Sequence, residues 1–251
     1  MTKFQDYFSR QAGDYVRFRP EYPAALFDYL ASIAPARRRA WDCGTGNGQA
    51  ARGLVGHFER VVATDASPDQ LGHAAPHPRI EYRVARAEDV ALPAASVDLV
   101  AVATAVHWFD MERFYAGVRR ALVDRGVLAV WTYHMSVIDP AIDRILDDYY
   151  HRVLGRYWPE SFRHVVAHYR TLPFPFEEIA APAFEVRSQL TLEQFAGFLN
   201  SWSATQRYRD EHGEHPVGLI GPALREAWGD AARERTVRWP LYLKVGRKEE
   251  A

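Results

Sequence analysis

Between Arg39 and His134 the chain alternates short apolar runs with amphipathic stretches. Arg39–Cys43 reads as a brief strand, and Arg60–Asp65 (Arg-Val-Val-Ala-Thr-Asp) as a β-branched one. Val97–Ala103 (Val-Asp-Leu-Val-Ala-Val-Ala) and Gly126–Tyr133 are nearly continuous apolar runs, the pattern of strands buried on both faces of a parallel sheet. Ile80–Val84 is a further strand. Gln49–Phe58 and Phe109–Leu122 read as helices, and Ser67 caps another that has Pro68 at its first position. Five strands separated by helices of this length describe a doubly wound α/β sheet.

After Ser136 the alternation stops. Asp139–Leu154 is an amphipathic helix opening on an Asp-Pro pair, and Tyr157–Pro182 is rich in aromatics and prolines. Ala183–Ser188 and Thr236–Val245 each suit a strand, with helices at Leu192–Ser201 and Pro222–Arg233 between them. The expected organisation is a single domain over 1–251. It comprises an N-terminal arm (1–35), a core (36–135), a helical insertion (136–182) and C-terminal strands with a second insertion (183–251).

Composition narrows the class. Hydrophobic residues make up 48% of the 251 and charged residues 25%, enough for a packed core. With 31 basic and 32 acidic residues the net charge is −1, which argues against nucleic-acid binding by bulk charge. The lone cysteine, Cys43, excludes an internal disulfide framework and a cysteine-based zinc site. The N-terminus has no apolar run of signal-peptide type. The longest stretches free of Asp, Glu, Lys and Arg, such as Gly126–Ile138, are 13 residues, short of a membrane span. A soluble, cytoplasmic protein is expected.

The most informative stretch is Trp41-Asp42-Cys43-Gly44-Thr45-Gly46-Asn47-Gly48-Gln49, a glycine turn between a strand and a helix. Glycines let backbone approach a ligand that a Cβ would block. A dinucleotide turn needs G-x-G-x-x-G, and its last position is Gln49 here; there is no Gly-Lys-Ser/Thr either, so neither phosphate-binding loop fits. What remains is Asp-x-Gly-x-Gly-x-Gly, with a second carboxylate, Asp65, ending the next strand. A carboxylate there can accept from both hydroxyls of a ribose, and acidic groups near the turn suit an ammonium or sulfonium.

This turn, Asp65, and Ala87-Glu88-Asp89-Val90-Ala91-Leu92-Pro93 together resemble the three cofactor motifs of class I S-adenosylmethionine-dependent methyltransferases. The resemblance implies a Rossmann-like, doubly wound, seven-stranded α/β sheet with an antiparallel last strand, plus a helical substrate cap. Ala183–Ser188 and Thr236–Val245 would be its final strand pair. It also implies S-adenosyl-L-methionine as cofactor. Gly44 and Gly46 would lie under the methionine part, with Asp42 acting at that end. Asp65 would hold the ribose, and Ala87 and Glu88 would flank the adenine. Thr45, Gly48, Ala66 and Thr104 complete the expected cofactor set. Many relatives carry Gly-Asp before the Ala-Glu pair, where this chain has Ala85 and Arg86.

The segment Ala105-Val106-His107-Trp108-Phe109-Asp110 resembles a motif of the subgroup that includes trans-aconitate-methyltransferase-like proteins. So does the N-terminal stretch Tyr15 to Pro23. His107 is a candidate general base; the alternative is that it packs the entry of the next helix. Arg17, Arg19 and Tyr22 are candidates for binding the cofactor's carboxylate or an acidic substrate, or they form a solvated arm. His151, His164 and His168 lack the carboxylate pattern of a metal site, so no metal is expected. The expected activity is methyl transfer to a small molecule, with a carboxylate or hydroxyl acceptor favoured. The alternatives are a protein or RNA methyltransferase, a non-catalytic cofactor-binding protein and, last, a dinucleotide oxidoreductase. No membrane partner is expected.

Overall fold

The structure, a computed structural model, describes residues 20–250. Its elements run α1 (Ala24–Ile33), β1 (Arg39–Cys43), α2 (Gln49–Leu54), β2 (Arg60–Asp65), α3 (Pro68–Gly72), β3 (Ile80–Val84), β4 (Val97–Ala103), α4 (Met111–Ala121) and β5 (Leu122–Tyr133). There follow α5 (Pro140–Asp148), α6 (Arg163–Val166), β6 (Glu177–Ile179), β7 (Phe184–Leu190), α7 (Leu192–Asn200), α8 (Ser203–His212), α9 (Val217–Trp228) and β8 (Arg235–Arg247). The sheet order is β3-β2-β1-β4-β5-β8-β6, with β7 also pairing β8. The first five strands are parallel, and β8 is antiparallel to both β5 and β6. The order reverses direction at β1 and β4, the switch point at which ligands sit beyond the carboxyl ends of such strands.

The chain forms two compact units. One comprises residues 21–134, 163–185 and 240–250 and holds the parallel strands. Its core is the apolar run that the sequence displays: Val97, Leu99, Val100, Ala101 and Val102 of β4 are fully buried, as are Val127 to Trp131 of β5. Asp98 is the one charge inside that run. Its Oδ2 accepts the amides of Arg38 and Arg39 at 2.9 and 3.0 Å, and its Oδ1 lies 3.6 Å from the Arg38 guanidinium. The helices begin where side chains cap them. The Ser67 hydroxyl accepts from Gln70 at α3, and the Asp110 carboxylate accepts from Arg113 at α4.

The second unit, residues 135–162 and 186–239 among those described, is built on aromatic packing. Tyr150 stacks on Trp158 at 4.6 Å and Trp158 on Phe162 at 4.5 Å, while Phe195 stacks on Trp228 and Phe198 meets Trp239 edge-on. Asp139 caps α5 through the amides of Ala141 and Ile142, and its other oxygen pairs with Arg235.

Several element boundaries differ from those expected. The helix after the glycine turn stops at Leu54, because the chain folds into a turn in which the Leu54 carbonyl accepts from both His57 and Phe58. The helix expected from Pro222 begins at Val217 and contains Pro222, since Val217, Leu224 and Trp228 share its buried face. The strand pair is broader than expected: Glu177–Ile179 joins β8 as an edge strand, giving eight strands in all. Helix α8 carries no apolar stripe and was not visible in the pattern. His164 and His168 do not share a helix face, because α6 ends at Val166 and both His168 and Tyr169 take positive φ.

Candidate active site

The corner between the ends of β1 and β2 is organised by two carboxylates. Parallel pairing sets Asp42 beside Ala63 and Cys43 beside Thr64. The chain leaves β1 through Gly44 and Thr45, whose amides both donate to the Thr64 carbonyl, at 2.8 and 3.0 Å. Gly44 has φ +71°, and a Cβ there would lie 2.6 Å from the Cβ of Ala105, so both backbone and space select glycine. Gly46, at φ +55°, donates its N–H to Asp65 Oδ2 at 2.8 Å, while Asp65 Oδ1 accepts the Ser67 amide at 2.9 Å. Backbone thus fixes the orientation of the Asp65 carboxylate. Above Gly46 a Cβ would meet nothing closer than Gln70 Oε1 at 3.6 Å. The turn is therefore a cradle with an open side.

Asp42 is fully buried. Its Oδ2 accepts the Thr45 hydroxyl at 2.5 Å, and its Oδ1 has no hydrogen-bond partner. Burial pushes the carboxyl up to about 7; the Thr45 hydroxyl and the Ala51 amide pull the other way, and the neighbouring charge of Asp65 adds to the rise. A buried acceptor left unmatched costs on the order of 1–3 kcal/mol.

Glu88 follows Ala87, which is buried, and its side chain is 5% exposed. Its Oε1 accepts the Asp110 amide at 2.8 Å, and its Oε2 lies 3.4 Å from Arg86 Nε. It therefore ties the segment after β3 to the start of α4. Arg86 is the partner of Glu88.

At the end of β4, Thr104 takes φ +54° while its amide donates to the Trp131 carbonyl at 2.7 Å. Its hydroxyl lies 3.4 Å from the Tyr22 hydroxyl, and the Tyr22 ring meets Trp131 edge-on at 5.5 Å. The next turn, Val106–Trp108, buries His107, whose Nδ1 lies 2.9 Å from the Tyr169 hydroxyl. Burial lowers the imidazole to about 3, with a smaller contribution from His164, so the ring is neutral at physiological pH.

The structure brings together Asp42, Gly44, Thr45, Gly46, Asp65 and Ala66 at the corner, where Gly48, at φ +84°, caps α2. It sets Tyr22 against Thr104, while Arg17 and Arg19 lie outside the described residues. Tyr169, from the aromatic-rich stretch, lies against His107, a contact that no spacing in the sequence foretells. His164 bonds Thr171, and His168 stacks on Tyr242 at 3.6 Å. Among the described residues no group of three His, Cys, Asp or Glu side chains is placed to hold a metal ion.

Residues 41–130 match the family model described as a methyltransferase domain. A solved structure of a candidate type II methyltransferase from Anaeromyxobacter dehalogenans is 46% identical, covers 93% of this chain and all of its own, and superposes with a TM-score of 0.86. A candidate methyltransferase of Dictyostelium discoideum is 29% identical over 99% of this chain and 97% of its own length. A candidate S-adenosylmethionine-dependent methyltransferase of Saccharomyces cerevisiae is 25% identical over 96% of each.

Proposed function

The chain belongs to the class I S-adenosylmethionine-dependent methyltransferases, and from that premise we propose that it methylates a small molecule with a carboxylate or hydroxyl acceptor. When bound, the cofactor supplies a methyl group on a positively charged sulfur. The residues present fit such a molecule. The open cradle over Gly46 admits it, the backbone-oriented Asp65 carboxylate suits the ribose hydroxyls, and the unmatched Asp42 Oδ1 suits its ammonium. Glu88 and Ala87 bound the place for the adenine, and Thr45, Gly44, Gly48, Ala66 and Thr104 complete the wall. The single observation that carries the assignment of these residues is the Asp42–Asp65 corner: two acidic side chains on a glycine cradle recognise a cation and a diol, and would repel a pyrophosphate.

The chain's own contribution to rate is alignment and exclusion of water. A carboxylate acceptor is already an anion and needs no base, whereas a hydroxyl acceptor needs an oriented partner for its proton. The near-neutral composition supports a small acceptor over a nucleic acid. The subgroup resemblance of Ala105 to Asp110 supports the same reading. A labelled-methyl screen across small carboxylic acids, phenols and amines tests it. Transfer to one of these classes supports the proposal; transfer only to protein or RNA fractions overturns it.

A further inference from the structure

Helix α8 begins inside the second unit without a cap. The first turn of any helix leaves amides with no partner in the helix itself, and a buried start needs something to receive them. Trp202 stands at the N-cap, and its indole cannot accept a hydrogen bond. The helical ladder opens with the Gln206 amide, which donates to the Trp202 carbonyl at 3.1 Å. The amides of Ser203, Ala204 and Thr205 therefore have no acceptor within the helix, and no other carbonyl or side chain among the described residues takes them. Ala204 and Thr205 are fully buried, and Ser203 nearly so.

Gln206, one turn further on, supplies a second and independent observation. The residue is 8% exposed, and its Nε2 donates to the Asn200 carbonyl at 2.7 Å, which brings the carboxamide back to the chain entering α8. That bond also settles which end of the amide is which, because a carbonyl can only accept. The other end, Oε1, is buried and has no hydrogen-bond partner. Asn200 Oδ1, on the same connection, is buried without a partner as well. The Thr205 hydroxyl is already engaged: it donates to the Leu199 carbonyl at 2.9 Å and lies 3.1 Å from the Tyr149 hydroxyl. The start of α8 thus holds three unmatched donors and, on the Gln206 carboxamide, an unmatched acceptor.

We propose that the start of α8 is a binding site for a small carboxylate that carries a hydroxyl on the neighbouring carbon. The carboxylate accepts from the Ser203, Ala204 and Thr205 amides at the positive end of the helix dipole, and the hydroxyl donates to Gln206 Oε1. Both halves are needed. A carboxylate without a hydroxyl leaves Oε1 unmatched, and a neutral diol brings no charge to the amides. Burial makes each unmade bond costlier than it would be in water. Every group in the site belongs to the second unit, so the site is independent of the cofactor reading of the β1–β2 corner.

Amide NMR of the ¹⁵N-labelled full chain tests this with lactate, propionate and propane-1,2-diol as probes. Lactate should shift the Ser203, Ala204 and Thr205 resonances saturably, propionate should bind about tenfold more weakly, and the diol should leave them unmoved. Ser203→Pro removes one donor where proline suits a helix, since Trp202 before it is already extended at ψ 138°. It should weaken lactate about tenfold, while the thermal midpoint holds or rises because an unmatched donor has gone. Ser203→Ala, which keeps the amide, should retain lactate binding. Gln206→Leu should bring lactate down to the affinity of propionate. No saturable shift with lactate, an equal response to propionate or the diol, or unchanged lactate affinity in Ser203→Pro overturns the proposal. A lowered thermal midpoint in Ser203→Pro also overturns it, by showing that the amide was already engaged.

Discussion

Two buried ionisable groups stand at the ends of the neighbouring strands β1 and β4, and burial acts on them in opposite directions. Asp42 is an acid held towards its protonated form, with about 7 in place of the usual carboxylate value, while His107 is a base held neutral down to about 3. Their surroundings differ too. Asp42 sits among backbone amides and hydroxyls with one oxygen unmatched, whereas His107 sits among aromatic rings with Nδ1 bonded to a phenol. Desolvation holds the first towards its neutral acid and removes charge from the second. Under the proposed function the first region receives the charged end of the cofactor.

Gly44→Ala tests the backbone of the first region and carries the largest expected effect. The left-handed φ and the 2.6 Å approach to Ala105 together should cost about 3 kcal/mol, read by urea unfolding. Retained stability would mean that the turn is looser than described.

Asp42→Asn separates the two regions by pH. Between roughly pH 4 and 7 the folded chain with Asp42 holds about one proton more than the unfolded chain, so its stability falls as pH rises. Between roughly pH 3 and 6.5 neutral His107 makes the folded chain hold fewer protons, so stability rises with pH. The slopes oppose each other at up to about 1.4 kcal/mol per pH unit. Replacing Asp42 should expose the His107 slope, giving a variant whose stability climbs from pH 4 to 6.5 more steeply than the wild type. At pH 8 the variant should be more stable by about 1–2 kcal/mol yet bind S-adenosylhomocysteine about tenfold more weakly. Parallel stability–pH profiles would dissolve the contrast between the two groups.

Tyr169→Phe acts on the second region alone. It strips a partner from buried Nδ1 and should cost about 1–2 kcal/mol with little change in S-adenosylhomocysteine affinity, measured by unfolding and calorimetry together. Equal losses in both would mean that the regions are not independent. Arg38→Ala is the control outside both. Its guanidinium is largely exposed and Asp98 keeps two backbone donors, so thermal unfolding should register less than about 0.5 kcal/mol.

The parallel core and the glycine corner were legible because their chemistry is local. Val97–Ala103 can only be a buried strand, and Asp42, the glycines and Asp65 lie within two consecutive strand–turn units. The surroundings of His107 were not, because Tyr169 reaches it across 62 residues. No spacing rule links the two. The eight aromatics between Tyr149 and Phe176 looked like one cluster, yet the first five belong to the second unit and Tyr169, Phe174 and Phe176 to the first. Helix α8 escaped notice because Ser203 to Gln206, its buried residues, are mostly polar. A boundary such as Pro222 misled because proline favours a helix start, whereas here apolar packing carries the helix through it.

The account stands on the β1–β2 corner as the cofactor site, and isothermal titration of S-adenosylmethionine into wild type and Asp65→Ala tests that most directly. Asp65 is expected to contribute through charge-assisted bonds, so the wild type should bind and the variant should lose about a hundredfold or more in affinity while keeping its fold by circular dichroism. Equal affinity in the two proteins, or no binding by the wild type, would contradict it.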